Sequence, residues 1–249
     1  MELTDTQLLR YSRQIMLPEV DVAGQERLLD ATVLVVGLGG LGSPVALYLA
    51  AAGVGRLILS DDDDVDLSNL QRQIVHSAAD VGSPKVESAA RTLRALNPDV
   101  ALELVPERLA GDRLADVVAR ATVVVDATDN FGTRFELNEA CVAAGVPLVS
   151  GAAIRWEGQV AVFDPRDPAS PCYRCLYESG DDGALNCSEN GVIAPLVGII
   201  GTCQAMETVK LIAGVGETLT GIVLYFDGKR MEWRRLRLPK SPDCPVCAG

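Results

Sequence analysis

Gly37, Gly39, Gly40 and Gly42 fall in the run Gly37-Leu38-Gly39-Gly40-Leu41-Gly42, between a β-branched run at Thr32 to Gly37 and a helical pattern. Glycines in that setting let the backbone approach phosphate oxygens, and the helix start supplies free N–H groups and a partial positive charge. Asp61 closes the next apolar run, Arg56 to Ser60, where a carboxylate accepts hydrogen bonds from ribose hydroxyls. The loop by itself serves NAD, FAD, S-adenosylmethionine and ATP alike.

Charges elsewhere narrow the chemistry. Lys85 is expected at the second position of a helix that opens at Pro84, with Ser83 as its cap. A cation at the positive end of a helix is mildly unfavourable unless an anion is close, and phosphate is the obvious one. Asp61 to Asp64 are four like charges in a row that need a metal, ribose or arginine to relieve them. Ser68-Asn69-Leu70-Gln71-Arg72-Gln73 is polar without a hydrophobic period. Asp129 and Asn130 follow the strand-like Ala121 to Ala127, at an edge where a carboxylate suits Mg2+ shared with phosphate oxygens.

Cys172-x-x-Cys175 and Cys244-x-x-Cys247 are two knuckles with prolines beside them, a spacing that makes a tetrahedral structural zinc site pinning the C-terminal segment to the body. Cys187 is left over in a polar loop, and Asp181, Asp182 and Glu189 around it disfavour its thiolate. Cys141 and Cys203 fall in apolar helical patterns and read as core. His76, the one histidine, has no supporting motif and is given no special role.

The rest of the chain must position these groups. Its 249 residues carry a net charge of −12 and 48% hydrophobic residues, enough for a large core and a poor match to nucleic acid or anionic lipid. The charged N-terminus is not a signal peptide, and the odd number of cysteines fits a reducing, cytoplasmic compartment. The apolar stretch Asn190 to Met206 holds Pro195 and several glycines and reads as a buried helix, with no membrane span expected. Helices are expected at Asp5 to Gln14, Val22 to Leu29, after the glycine loop (with Leu41, Val45, Tyr48, Leu49 and Ala52 on one face), Pro84 to Leu96, Phe131 to Ala144 and Ile193 to Ala213. Strands are expected at Thr32 to Gly37, Arg56 to Ser60, Ala101 to Val105, Ala121 to Ala127, Val146 to Gly151, Gln159 to Phe163, Thr220 to Phe226 and Met231 to Leu236. The alternation predicts an α/β protein with a mostly parallel sheet, helices on both faces and a C-terminal part continuing the same sheet.

RYSRQIMLPEVDVAGQERLLDATVLVVGLGGLG, SNLQRQ, GSPKVESA, DATDN, both knuckles and NCSENGVIAPLVGIIGTCQAMETVK together resemble the MoeB/ThiF family of bacterial adenylating enzymes, which are similar to ubiquitin-activating E1. The resemblance implies a single Rossmann-like adenylation domain over residues 1–249, with antiparallel strands in its C-terminal part. Its nucleotide-binding half would span about 31–151 and its carrier-binding and zinc half about 152–249. The implied activity is ATP-dependent adenylation of the C-terminal Gly-Gly carboxylate of a ubiquitin-like sulfur carrier, with release of pyrophosphate. The pattern leans to the molybdenum cofactor branch, with a thiamine-branch carrier as the alternative. Only Ala248 and Gly249 follow Cys247, so no appended rhodanese-like domain is expected.

By the same resemblance Gly37 to Gly42, Asp61, Asp63, Ser68, Asn69, Leu70, Gln71 and Asn130 bind the nucleotide. Arg72 and Lys85 offset charge on the phosphates, and Asp129 binds Mg2+. Arg13 is supplied to the site by the partner subunit of a homodimer, and Val192 to Met206 contributes to the dimer interface or the carrier groove. Cys187 matches a cysteine that in the thiamine branch can link covalently to the carrier. The sulfur donor would be a cysteine desulfurase or a rhodanese-type protein. The chain departs from the family at Asp62, where a bulky apolar residue is common. Basic residues from Lys229 to Lys240 read as a solvated face that could also guide an acidic carrier. A nicotinamide-dependent oxidoreductase and a non-catalytic E1-like scaffold are the other readings.

Overall fold

The computed structural model describes residues 3–178 and 191–248. Cys187 and the expected Ser179 to Asn190 loop lie outside the described residues.

Two short helices, α1 (Asp5–Arg10) and α2 (Ser12–Ile15), lead into α3 (Asp21–Asp30). The alternating part then runs β1 (Thr32–Val36), α4 (Gly42–Ala52), β2 (Arg56–Ser60), α5 (Lys85–Leu96), β3 (Ala101–Val105), α6 (Gly111–Val118), β4 (Val123–Asp126), α7 (Phe131–Ala144) and β5 (Leu148–Ile154). After β5 come β6 (Glu157–Phe163), the single turn α8 (Tyr173–Leu176), the long α9 (Ala194–Ala213), β7 (Ile222–Asp227) and β8 (Glu232–Arg237).

The strands among the described residues join one eight-stranded sheet ordered β3-β2-β1-β4-β5-β6-β7-β8. Pairing is parallel from β3 to β5, with Val33 opposite both Leu57 and Val123, and antiparallel from β5 to β8. The β-branched runs suit strands covered on both faces. Alternate residues accordingly enter two cores. Val33, Val35, Leu57 and Leu59 pack with α4, α5 and α9. Leu34, Val36, Ile58 and Val124 pack with α6, α7 and Tyr173 on the opposite face. Each such fully buried branched side chain contributes about 2 kcal/mol. The α/β fold with a mixed, mostly parallel sheet and antiparallel C-terminal strands agrees with the sequence reading.

Helix α9 is long and apolar enough to cross a membrane, but it packs against α3, α4, β5 and β6 with Leu196, Val197, Ile200, Gln204 and Ile212 buried. That is the buried core helix the sequence implied. Other expectations need correction. Ser83 does not cap α5: Pro84 takes the cap position with an extended ψ of 134°, no side-chain cap bond forms, and Lys85 is the first helical residue. Tyr48, expected on the buried face of α4, is 57% exposed. The helix α6 was not anticipated, because its apolar residues Leu114, Val117 and Val118 are too few to stand out among charges.

Candidate nucleotide site

The strand order reverses direction between β1 and β4, and in open α/β sheets ligands lie outside the carboxyl ends of the strands at that point. A cleft of about 620 Å³ opens there, lined by Val36, Ser60, Ala127 and the residues that follow these strands. Its floor is the glycine turn. Gly37 has φ +90, and a Cβ on it would stand 2.8 Å from the Ala127 carbonyl oxygen. A Cβ on Gly42 would meet the Gly37 oxygen at 1.9 Å, so both positions demand glycine.

Asp61, at the end of β2, turns back onto this loop. Its Oδ2 accepts from Leu38 N–H at 2.6 Å and its Oδ1 from Asp63 N–H at 3.0 Å. Burial raises its pKa above the ordinary carboxylate value, a shift that the Lys85 charge and the two backbone bonds only partly offset. Lys85 reaches in from the first turn of α5, with Nζ 2.6 Å from Asp63 Oδ2 and 3.7 Å from Asp61 Oδ1. The aspartate run is thus relieved by a lysine and backbone donors. Asp62 lies exposed at the cleft wall.

Arg72 is steadied by Asn69 Oδ1 at 3.1 Å and the Ser68 carbonyl at 3.4 Å. Opposite, Asp129 is exposed in the cleft wall, while Asn130 also caps α7 by accepting from Thr133 N–H at 2.9 Å. The cleft therefore gathers Gly37, Gly39, Gly40, Asp61, Asp63, Asn69, Arg72, Lys85, Asp129 and Asn130. Gly42, Ser68, Leu70 and Gln71 stand outside its lining. Ser68 is bound to Asp66 Oδ1 through both its N–H and its hydroxyl, and Gln71 is exposed. Arg13 lies exposed on α2, also outside the lining of its own chain's cleft.

Several residues at or beneath the cleft received no role from the sequence, although Gln73 and Asp126 lie in the SNLQRQ and DATDN runs. Gln73 is buried with its Oε1 unpartnered. Arg108 stands exposed at the wall. Arg134 and Asp126 form a buried ion pair at 3.6 Å under the Asp129 loop. Asp126 accepts from Thr128 and Ser150, and Arg134 donates to the Thr128 and Gly151 carbonyls. The pair holds the two strand-end loops together. The cleft continues past the glycine turn to Ala152, Glu157, Gln159, Tyr177, Val192 and Tyr225, so it joins the parallel half of the sheet to the antiparallel half.

On the second face, Cys172 Sγ lies 3.6 Å from Cys244 Sγ and Cys175 Sγ lies 3.5 Å from Cys247 Sγ. All four sulfurs fall within 4.8 Å of one another. A tetrahedral ion with bonds of about 2.3 Å to sulfur needs sulfurs about 3.8 Å apart, so the donor set fits zinc.

The chain as a whole resembles known adenylyltransferases. It is 51% identical over 246 residues to the Escherichia coli molybdopterin-synthase adenylyltransferase, covering 99% of this chain and 98% of that one. It is 49% identical over 247 residues to the E. coli sulfur carrier protein ThiS adenylyltransferase, with the same coverage. The crystal structure of E. coli MccB with ATP superposes with a TM-score of 0.82 at 26% identity, over 96% of this chain and 74% of that one. The ThiF family profile matches residues 11–246, and with identities near one half over full length, the chain belongs to the ThiF family.

Proposed function

We propose that this chain activates the C-terminal Gly-Gly carboxylate of a ubiquitin-like sulfur carrier by ATP-dependent adenylation, releasing pyrophosphate, for molybdenum cofactor biosynthesis. The observation that carries this reading is the convergence of Lys85, Arg72 and Asn69 on a glycine-floored cleft that runs on into the antiparallel half. The nucleophile is the carrier's own carboxylate, so the protein must position and stabilise charge more than it must move protons. Asp61 would hold the ribose, the glycine turn the phosphates, and Lys85 and Arg72 the charge that builds at the α-phosphate. Asp129 would hold Mg2+ between phosphate oxygens. Residues 31–151 form the nucleotide half in this reading, and residues 152–249 hold the carrier and the zinc. The extension toward Tyr177 and Tyr225 would take the carrier tail.

A homodimer fits the exposed Leu8, Leu9, Met16 and Leu17 around Arg13, which has no place in its own cleft and would enter the partner's. Zinc at the four cysteines would be structural, and the compartment cytoplasmic. A cysteine desulfurase or rhodanese-type protein would supply sulfur to displace AMP. Adenylation of a ThiS-like carrier for thiamine is the second reading, favoured by the nearly equal identities to the two E. coli enzymes.

The test is ATP–pyrophosphate exchange with purified carriers of each branch. Exchange that depends on one carrier supports the reading and selects the branch. ATP binding without exchange would leave a scaffold.

A further inference from the structure

His76 is the chain's one histidine, and it is 8% exposed. It follows the cleft residues Arg72 and Gln73 but does not itself line the cleft. Its two ring nitrogens bind different walls. Nε2 lies 3.0 Å from the Leu38 carbonyl oxygen, and Nδ1 lies 2.8 Å from Ser88 Oγ. A carbonyl oxygen only accepts, so Nε2 carries the proton; Nδ1 is then left as an acceptor facing the Ser88 hydroxyl, which the Asp80 carboxylate also approaches. Burial lowers the pKa of the ring and keeps it in this neutral form.

The two partners matter for the cleft. Leu38 belongs to the glycine turn, and its own N–H is held by Asp61. Ser88 is fully buried on α5, one turn beyond Lys85. In a planar trans peptide the C=O and N–H point in opposite directions. Drawing the Leu38 carbonyl inward to His76 therefore turns the Gly39 N–H away from His76, and Gly39 lines the cleft.

We propose that His76 is a positioning residue for nucleotide chemistry, which as its Nε2–H tautomer aims the Gly39 N–H at the bound phosphates and fixes the glycine turn to the helix that carries Lys85. What is positioned rests on the adenylation reading above; the tautomer does not.

Three measurements test it. In ring-15N-labelled wild-type protein one imidazole is present, so a long-range 1H–15N spectrum reads its tautomer directly. The expected result is Nε2–H, with a shift when ATP is added. His76→Gln keeps an amide donor able to reach the Leu38 carbonyl, whereas His76→Phe keeps ring volume without a donor. Carrier-dependent pyrophosphate exchange should fall roughly 30-fold in His76→Phe, mostly in kcat, and return to within about threefold of wild type in His76→Gln. A purely structural histidine would lower the melting temperature of both variants and leave the rate per folded enzyme unchanged. An Nδ1–H tautomer overturns the proposal whether or not the variants fold, as does equal loss in the two variants. A wild type that neither binds ATP nor exchanges pyrophosphate overturns the adenylation reading, while the tautomer still decides the clamp.

Discussion

Lys85 Nζ lies 2.6 Å from Asp63 Oδ2, yet the lysine side chain is 5% exposed and that of Asp63 is 69% exposed. The ammonium is thus buried against a carboxylate free to swing into solvent. In the proposed reaction an incoming phosphate would take the place of Asp63 without the lysine being desolvated again, and the helix start behind Lys85 would strengthen the local positive field.

Lys85→Ala is expected to lower pyrophosphate exchange by about 100- to 1,000-fold while leaving the circular dichroism spectrum and subunit association unchanged. Arg72→Ala should behave alike, because its guanidinium is held ready by Asn69 at 3.1 Å. Wild-type turnover in either variant would remove the role given to that residue.

Asp61 supplies a pH test. Its folded pKa is raised by burial above the value in the unfolded chain. Its contribution to stability is therefore present below the unfolded pKa and is lost as pH rises through the folded pKa. At pH 7 the charged, buried carboxylate is a net cost, so Asp61→Asn should keep or raise the melting temperature at neutral pH. The difference from wild type should shrink on acidification, while exchange activity falls by about 100-fold at pH 7. Melting curves from pH 4 to pH 8 decide it, and a variant less stable than wild type at pH 7 would contradict the sign.

Cys172→Ser should release zinc and destabilise the protein without touching the nucleotide cleft. The bridge from Cys172 to Cys244 closes a loop of 72 residues, worth on the order of 4 kcal/mol in chain entropy. For a chain of this size that is a loss of roughly 10 °C in melting temperature. Elemental analysis of wild type and variant, with ATP titration of both, checks the two halves of the prediction.

The glycine turn, Asp61, Lys85 and the four cysteines were legible because each is a residue type set at a tell-tale spacing beside a clear strand or helix. The Arg134–Asp126 pair was not, since an ion pair across a helix start leaves no periodic trace, and Asp126, though it opens the DATDN run, fell inside the expected strand Ala121 to Ala127. His76 failed for a related reason: its partners Leu38 and Ser88 are distant in the chain and become neighbours only when α5 docks beside the glycine turn. Tyr48 misled because an apolar pattern marks a helix without saying which flank meets the core. The Ser83-Pro84 pair looked like a capped start, but the backbone of Ser83 is committed to Val65 and Asp80.

The pairing of the knuckles also governs how the chain would respond to force. Strands β7 and β8 lie between the first knuckle and the second, and among the described residues β8 is one of the two edges of the sheet. A pull on the C-terminus would ordinarily unzip such an edge one residue at a time. With the sulfurs bridged by metal, the load passes from Cys244 and Cys247 directly to Cys172 and Cys175, and the edge strand is bypassed. The last strand of the sheet is then mechanically silent until the metal–sulfur bonds rupture.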